Sequence, residues 1–263
     1  MNRLLIRPGA IGDCILCFPA LRHLAAGDAE IWAPSAVLPL IQFAARTRSI
    51  ASTGIDLVGI GDYELPDFDG FDEIVSWYGS NRPEFRAALE ATGIPCTFHP
   101  ALPDPADSIH AVDFFAQQVG APPGAIPRID PGPVERRASV VIHPFSGSAR
   151  KNWPLAVFEE VARRLRLPVE WTAGPEETLP HSTRFENLFD LARWLAGTQL
   201  YIGNDSGVTH LAAAVGVPVI ALFRTTSPEV WAPRGGNVTV LRDPSVDAVI
   251  EAVSSARQAG GRP

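Results

Sequence analysis

The run Tyr201-Ile-Gly-Asn-Asp-Ser-Gly-Val-Thr-His-Leu-Ala-Ala-Ala-Val-Gly-Val-Pro-Val-Ile-Ala-Leu-Phe223 sets the fold class. Tyr201 and Ile202 close an apolar strand, and four small or polar residues follow. Val208 to Val215 then reads as a helix stopped by Gly216 and Pro218, and Pro218 to Phe223 reads as a buried strand. Strand, corner, helix and strand in this order form half a step of a parallel α/β sheet. Ser206 stands where an N-cap belongs, and Gly207 opens the backbone of the first turn to a ligand. Free N–H groups and the positive helix end make this corner an anion site, and His210 adds a donor from the same turn. Asp205 would repel a phosphate. It fits better as an acceptor for hydroxyls, such as those of a sugar joined to that phosphate. The same residues also describe an ordinary capped helix, so other loops must decide between the two readings.

A chain of 263 residues allows one large or two small domains. No apolar run approaches the ~20 residues of a membrane span, and the start is too quickly interrupted for a signal peptide. Three cysteines fit a reducing compartment, so a cytoplasmic protein is expected. Cys14 and Cys17 are spaced C-x-x-C but lie in an apolar segment with no second pair for zinc, and they read as core packing. The formal charge of −7 argues against nucleic acid as a partner. That charge is uneven: residues 1–133 hold 8 arginines against 16 acids, whereas residues 134–263 are balanced. The acids gather at Asp62, Glu64, Asp67, Asp69, Asp72 and Glu73, which reads as a solvated loop face.

Among 22 basic residues only Lys151 is a lysine. A chain that uses arginine wherever a generic cation serves, yet keeps a lysine in a polar loop, points to a use for a compact ammonium there.

In chain order, Arg3 to Arg7 is a strand, followed by Gly9-Ala-Ile-Gly-Asp13 and a helix from Cys14 to Leu24. Gly9 and Gly12 give a loop that can approach a ligand. Asp13, near the helix N-terminus, reads equally as a cap or as a catalytic carboxylate. Strands at Glu30 to Trp32, Ile55 to Gly59 and Glu73 to Trp77 alternate with helices at Leu38 to Ala45, Pro83 to Ala91 and Ser108 to Val119. Ala121 to Arg137 is rich in proline and glycine and reads as a linker. The expected domains are therefore 1–133 and 134–263. A strand at Ser139 to His143 opens the second, and Ser146, Gly147, Ser148 and Lys151 then form another anion cradle before a helix begun by Pro154. Val169 to Thr172 is a strand ending in Gly174-Pro-Glu-Glu177, where Glu176 or Glu177 can accept ribose hydroxyls or simply start a helix. Helices at Leu188 to Ala196 and Ser245 to Ala256 complete the pattern.

Four blocks now stand in order: Gly9-Ala-Ile-Gly-Asp13, Ser146-Gly-Ser148 with Lys151-Asn-Trp-Pro154, Gly174-Pro-Glu-Glu177, and Asp205-Ser-Gly-Val-Thr-His210. Together they resemble the ADP-heptose:lipopolysaccharide heptosyltransferases, glycosyltransferase family 9. The likeness is tight over the second half and looser between residues 25 and 133. The resemblance implies an α/β GT-B architecture, two Rossmann-like doubly wound domains facing across a cleft. The donor nucleotide belongs to the second domain and the acceptor to the first. It implies Asp13 as general base, with Gly9 and Gly12 in the acceptor loop. Ser146, Gly147, Ser148, Lys151, Ser206, Gly207 and His210 would hold the diphosphate, Glu176 or Glu177 the ribose, and Asp205 the donor sugar. The implied reaction is inverting transfer from a nucleotide-diphosphate sugar, ADP-heptose first among candidates, to a lipopolysaccharide-type glycan or glycolipid, without metal or cofactor. A peripheral contact with the inner face of the cytoplasmic membrane is implied too.

The chain departs from the family where relatives often carry glycine, at Phe145 and Arg224, the first narrowing the phosphate loop and the second adding charge near the donor. It is short for the family, and its acidity suits an anionic lipid acceptor poorly. Three other readings remain: a non-catalytic sugar-nucleotide-binding protein, a GT-B-like nucleotide-sugar epimerase, and a metal-dependent transferase using the D-x-D of Asp67 and Asp69.

Overall fold

The computed structural model describes residues 1–58, 65–104 and 108–260, and the chain divides into two compact units, Met1–Ala125 and Ile126–Pro263. The division falls eight residues ahead of the expected boundary. Residues 126–137 are tied to the second unit: Ile129 N–H donates to Ala214 O, Arg193 to the carbonyls of Pro131 and Pro133, and Arg137 N–H to Gly197 O. The proline-rich composition was sound as a sign of irregular chain but silent about docking.

In the first unit the strands β1 (Asn2–Ile6), β2 (Asp28–Ala33), β3 (Arg46–Ser49), β4 (Glu73–Ser76) and β5 (Cys96–Phe98) form one parallel sheet in the order β3-β2-β1-β4-β5. Parallel strands are covered on both faces, which is why β1 and β4 read as continuous apolar runs. Leu4, Ile6, Trp32 and Ile74 share one side with Phe85 and Leu89 of α2 (Pro83–Glu90). Leu5, Ile31 and Val75, equally buried, point to the other side by the period of two. The helices α1 (Ile11–Leu24) and α3 (Ala111–Gln118) pack against each other.

Two expected elements are replaced here. The helix expected over Leu38 to Ala45 is a single 3-10 turn, Leu38–Leu40, followed by the polar edge strand β3. Pro39 brings no N–H, and Phe43 is used instead to pack edge-on against Phe18 beneath the Arg22 guanidinium. The strand expected from Ile55 is a 3-10 turn, Ile55–Leu57, started by left-handed Gly54 (φ 69°) and by Thr53 Oγ1, which accepts Ile55 N–H. Gly59 lies outside the described residues.

The second unit repeats the plan with β6 (Val140–His143), β7 (Val169–Trp171), β8 (Leu200–Asn204), β9 (Val219–Phe223) and β10 (Val238–Arg242), ordered β10-β9-β8-β6-β7 and all parallel. An isolated parallel bridge, Thr172 to Thr183, continues the sheet past β7. Both sheets thus follow the Rossmann order, with a switch point beside the first strand of each unit. Val140, Ile142, Leu200, Ile202, Ile220 and Leu222 pack with Phe158 and Val161 of α4 (Leu155–Arg164) and Val249 and Val253 of α7 (Val246–Gly260). The helices α5 (Leu188–Ala196) and α6 (Gly207–Ala214) pack together, and α6 also lies on β8 and β9.

Candidate functional site

Ligands of open parallel sheets bind past the carboxyl ends of the strands, at the switch point. In the second unit that point lies between β6 and β8, and two loops meet there. Asn204, the last residue of β8 and fully buried, joins them: its Oδ1 accepts Trp153 N–H at 2.9 Å and its Nδ2 donates to Pro144 O at 2.7 Å. One amide thereby holds both ends of the loop that carries Lys151. Inside the loop, Ser146 Oγ lies 2.7 Å from Asn152 Oδ1 and 2.8 Å from Ser148 O, so this hydroxyl is turned inward. Gly147 is exposed, and a Cβ there would meet nothing within 4 Å. Arg224 donates to Asn152 O and pairs with Asp243 at 2.9 Å. It clamps the loop beside Lys151 and is not a free charge.

Lys151 reaches Asp205, with Nζ 2.8 Å from Oδ2. Thr226 Oγ1 donates to the same oxygen at 2.7 Å, and His210 Nε2 lies 3.9 Å from Oδ1. The Asp205 side chain is 6% exposed and that of Lys151 31%. Burial pushes the Asp205 carboxyl up, but His210, Lys151 and Thr226 outweigh it and hold the pKa at about 2. Asp205 is a fixed anion paired with the lysine. Ser206 caps α6 by accepting Thr209 N–H, and Ser206 O accepts the N–H groups of Thr209 and His210. Gly207 and Val208 are the first two residues of α6, whose N–H groups have no carbonyl partner in the helix. The two anion corners of the sequence are therefore one site.

A third group lies past β7. Glu177 Oε2 accepts Gly174 N–H at 2.6 Å and stands 2.9 Å from His143 Nε2, whereas Glu176 is exposed. Burial pushes the Glu177 carboxyl up, but His143, Gly174 N–H and Arg184 bring it below its ordinary value. His143 is 3% exposed and its Nδ1 has no partner among the described residues, which matches the tautomer that carries its proton on Nε2 toward the carboxylate. Phe145 stacks edge-on against the His143 ring, with centroids 6.2 Å apart.

In the first unit, α1 starts at Ile11, so Gly12 is helical and Asp13 is the third residue of the first turn. Asp13 Oδ2 accepts Ala10 N–H at 3.2 Å, and among the described residues no hydrogen bond engages its Oδ1. Gly9 has φ 120°, and a Cβ there would stand 3.3 Å from the Asp13 Cβ. Behind the loop, Arg7 is fully buried. It donates to Asp13 O at 2.9 Å and Ala101 O at 3.2 Å and lies over the Phe115 ring at 4.6 Å. Cys14 and Cys17 are buried beside it, and burial pushes their thiols up to about 11 and about 12. They pack and do not react.

Asp67 Oδ1 accepts Asp69 N–H at 2.8 Å, so the D-x-D spacing here is a turn that closes on itself. Asp62 and Glu64 lie outside the described residues. Among the described residues no three His, Cys, Asp or Glu side chains converge on a point where a metal could sit.

Sequence reasoning missed Asn204, Thr226 and His143. The first acts through backbone groups, which leave no trace in side-chain identity. The other two become visible only when strands far apart in sequence are placed side by side.

Two Rossmann-ordered parallel sheets in succession are the α/β fold found in solved GT-B glycosyltransferases. The solved ADP-heptose LPS heptosyltransferase II of E. coli shares the fold with a TM-score of 0.75, at 16% identity and covering 100% of both chains. E. coli heptosyltransferase WaaC with ADP does so with 0.67, at 16% identity, over 97% of this chain and 100% of that one. Residues 183–255 match the model of glycosyltransferase family 9 (heptosyltransferase). Lipopolysaccharide heptosyltransferase 1 of Pseudomonas aeruginosa is 34% identical over 93 residues, 30% of this chain and 26% of that protein. Lipooligosaccharide heptosyltransferase 2 of Haemophilus influenzae is 39% identical over 56 residues, 21% of this chain and 16% of that protein. The chain thus spans about a quarter or less of these curated relatives.

Proposed function

We propose that this protein is an inverting glycosyltransferase that moves a sugar, heptose from ADP-heptose first among candidates, to a hydroxyl of a lipopolysaccharide-type glycan. The observation that carries this is the cluster of Lys151, Asp205 and His210 beside the open first turn of α6, at the switch point of the second sheet. A lysine, a histidine and two donating N–H groups suit a diphosphate, and they supply the charge stabilisation a leaving nucleotide needs without a metal. Glu177 keeps Oε1 for a ribose hydroxyl, and Asp205 Oδ1 can accept from the donor sugar. Asp13 takes the proton of the attacking hydroxyl through its unengaged oxygen. The new C–O bond forms at the anomeric carbon as the bond to the diphosphate breaks, and the electron pair leaves with the nucleotide. An acceptor on a membrane surface is met peripherally, since no helix among the described residues is long and apolar enough to cross one.

The test is calorimetric titration of ADP, UDP, GDP and ADP-heptose into the wild type and Lys151→Ala. Selective ADP binding that collapses in the variant is expected. Absence of binding to all four ligands would end the enzyme reading in favour of a degenerate scaffold, and product sugar formed without an acceptor would favour an epimerase.

A further inference from the structure

The lysine that a donor diphosphate would meet is already paired within the chain. Asp205 is held from three directions, by Lys151 and Thr226 on Oδ2 and with His210 facing Oδ1, and its side chain is 6% exposed. It cannot swing away as a surface carboxylate would. Any phosphate drawn to Lys151 therefore arrives next to a fixed negative charge, in a corner where little water screens it. That is a poor way to bind phosphate in general, and a good way to choose between two kinds of diphosphate.

A nucleoside diphosphate joined to a sugar carries one negative charge on each phosphate. Once the sugar is gone, the terminal phosphate can ionise again, with a second pKa near ~6, so the free nucleotide brings an extra charge at neutral pH. The first form also presents sugar hydroxyls that a carboxylate can accept. We infer that Asp205 is a specificity residue that favours the sugar-linked diphosphate over the free one, by repelling the additional charge on the freed terminal phosphate while accepting hydroxyls of the sugar. This rests on the donor-site reading above and deepens it. The carboxylate would also hasten release of the spent nucleotide, because the repulsion grows as the glycosidic bond breaks and the oxygen keeps its electron pair. Lys151 and His210 offset that growth during the step itself, and the Thr226 bond holds Oδ2 in place.

The experiment compares three ligands by calorimetry at pH 7.5: ADP, ADP-heptose, and ADP carrying a methyl ester on its terminal phosphate, which lacks the extra charge but has no sugar. In the wild type the methyl ester should bind more tightly than ADP by about fivefold or more. In Asp205→Asn, which keeps the shape of the side chain, ADP should tighten by about tenfold and the difference between ADP and its ester should vanish. Equal binding of ADP and its ester by the wild type would overturn the inference, and that measurement needs no variant to fold. Asp205→Asn weakening ADP and the ester alike would overturn it too. If the wild type binds none of the three, the donor-site reading falls and takes the inference with it.

Discussion

The two units share a strand order and differ in what they place at its switch point. In the first, the corner after β1 presents one half-capped carboxylate, Asp13, over a buried arginine that is bonded to backbone carbonyls. In the second, the corner gathers a lysine, an aspartate, a histidine and a threonine within hydrogen-bonding reach or close to it. Topology supplies the location in both cases. Side chains make one location a lone capped carboxylate and the other a cluster of opposite charges.

That division of labour can be broken by experiment. The largest effect is expected from Asp13→Asn, which preserves an acceptor for Ala10 N–H but removes the carboxylate proposed as the base. Transfer should fall roughly 10²–10⁴-fold in kcat while ADP affinity stays at the wild-type value. Lys151→Ala should lose about 10²-fold in turnover and lose ADP affinity as well. If Asp13→Asn weakens ADP binding as Lys151→Ala does, the two corners are not separate in function. Asn204→Ala should destabilise the protein by about 2–4 kcal/mol in denaturant unfolding, because Trp153 N–H and Pro144 O both lose a buried partner.

A smaller effect is expected from acid. Asp205 has a folded-state pKa of about 2, below its unfolded value, so the folded state binds fewer protons. The stabilisation, about 2 kcal/mol, is complete above pH ~4 and disappears as pH falls toward ~2. Unfolding curves of the wild type should show this loss between those limits, and Asp205→Asn should lack it. The smallest effect, within about 0.5 kcal/mol in stability and none on transfer with or without a chelator, is expected from Asp67→Ala. A chelator that abolished transfer would reinstate a metal and put the charge logic of the second corner in question.

The second unit was the more legible one, and the reason is burial. Strands β6, β8 and β9 are covered on both faces, so they stand out as unbroken apolar runs, and the single lysine marked its own loop. Edge strands carry less signal. The residues of β3, Arg46-Thr-Arg-Ser49, are mostly exposed and polar, and β5 is only three residues long, so neither was foreseen. The place of Asp205 beside the start of α6 was legible, yet its pairing with Lys151 spans 54 positions and with Thr226 21, beyond any local pattern. A cap was one of two readings of Asp13, and the structure shows the capping bond on Oδ2 with Oδ1 unengaged among the described residues. Glu176 and Glu177 were indistinguishable as letters, and only the return of the chain toward His143 separates them.

The Asn204 amide has a consequence for thermodynamics as well as for stability. By fastening Pro144 and Trp153 to the same side chain, it turns the segment between them into a closed ring. The conformational freedom of a ten-residue loop is then given up during folding, not at the moment of association. A nucleotide bound as proposed would meet its partners in such a preformed ring without ordering them. The association entropy should therefore be nearly free of any loop-ordering contribution, and the cradle should retain its shape between one turnover and the next.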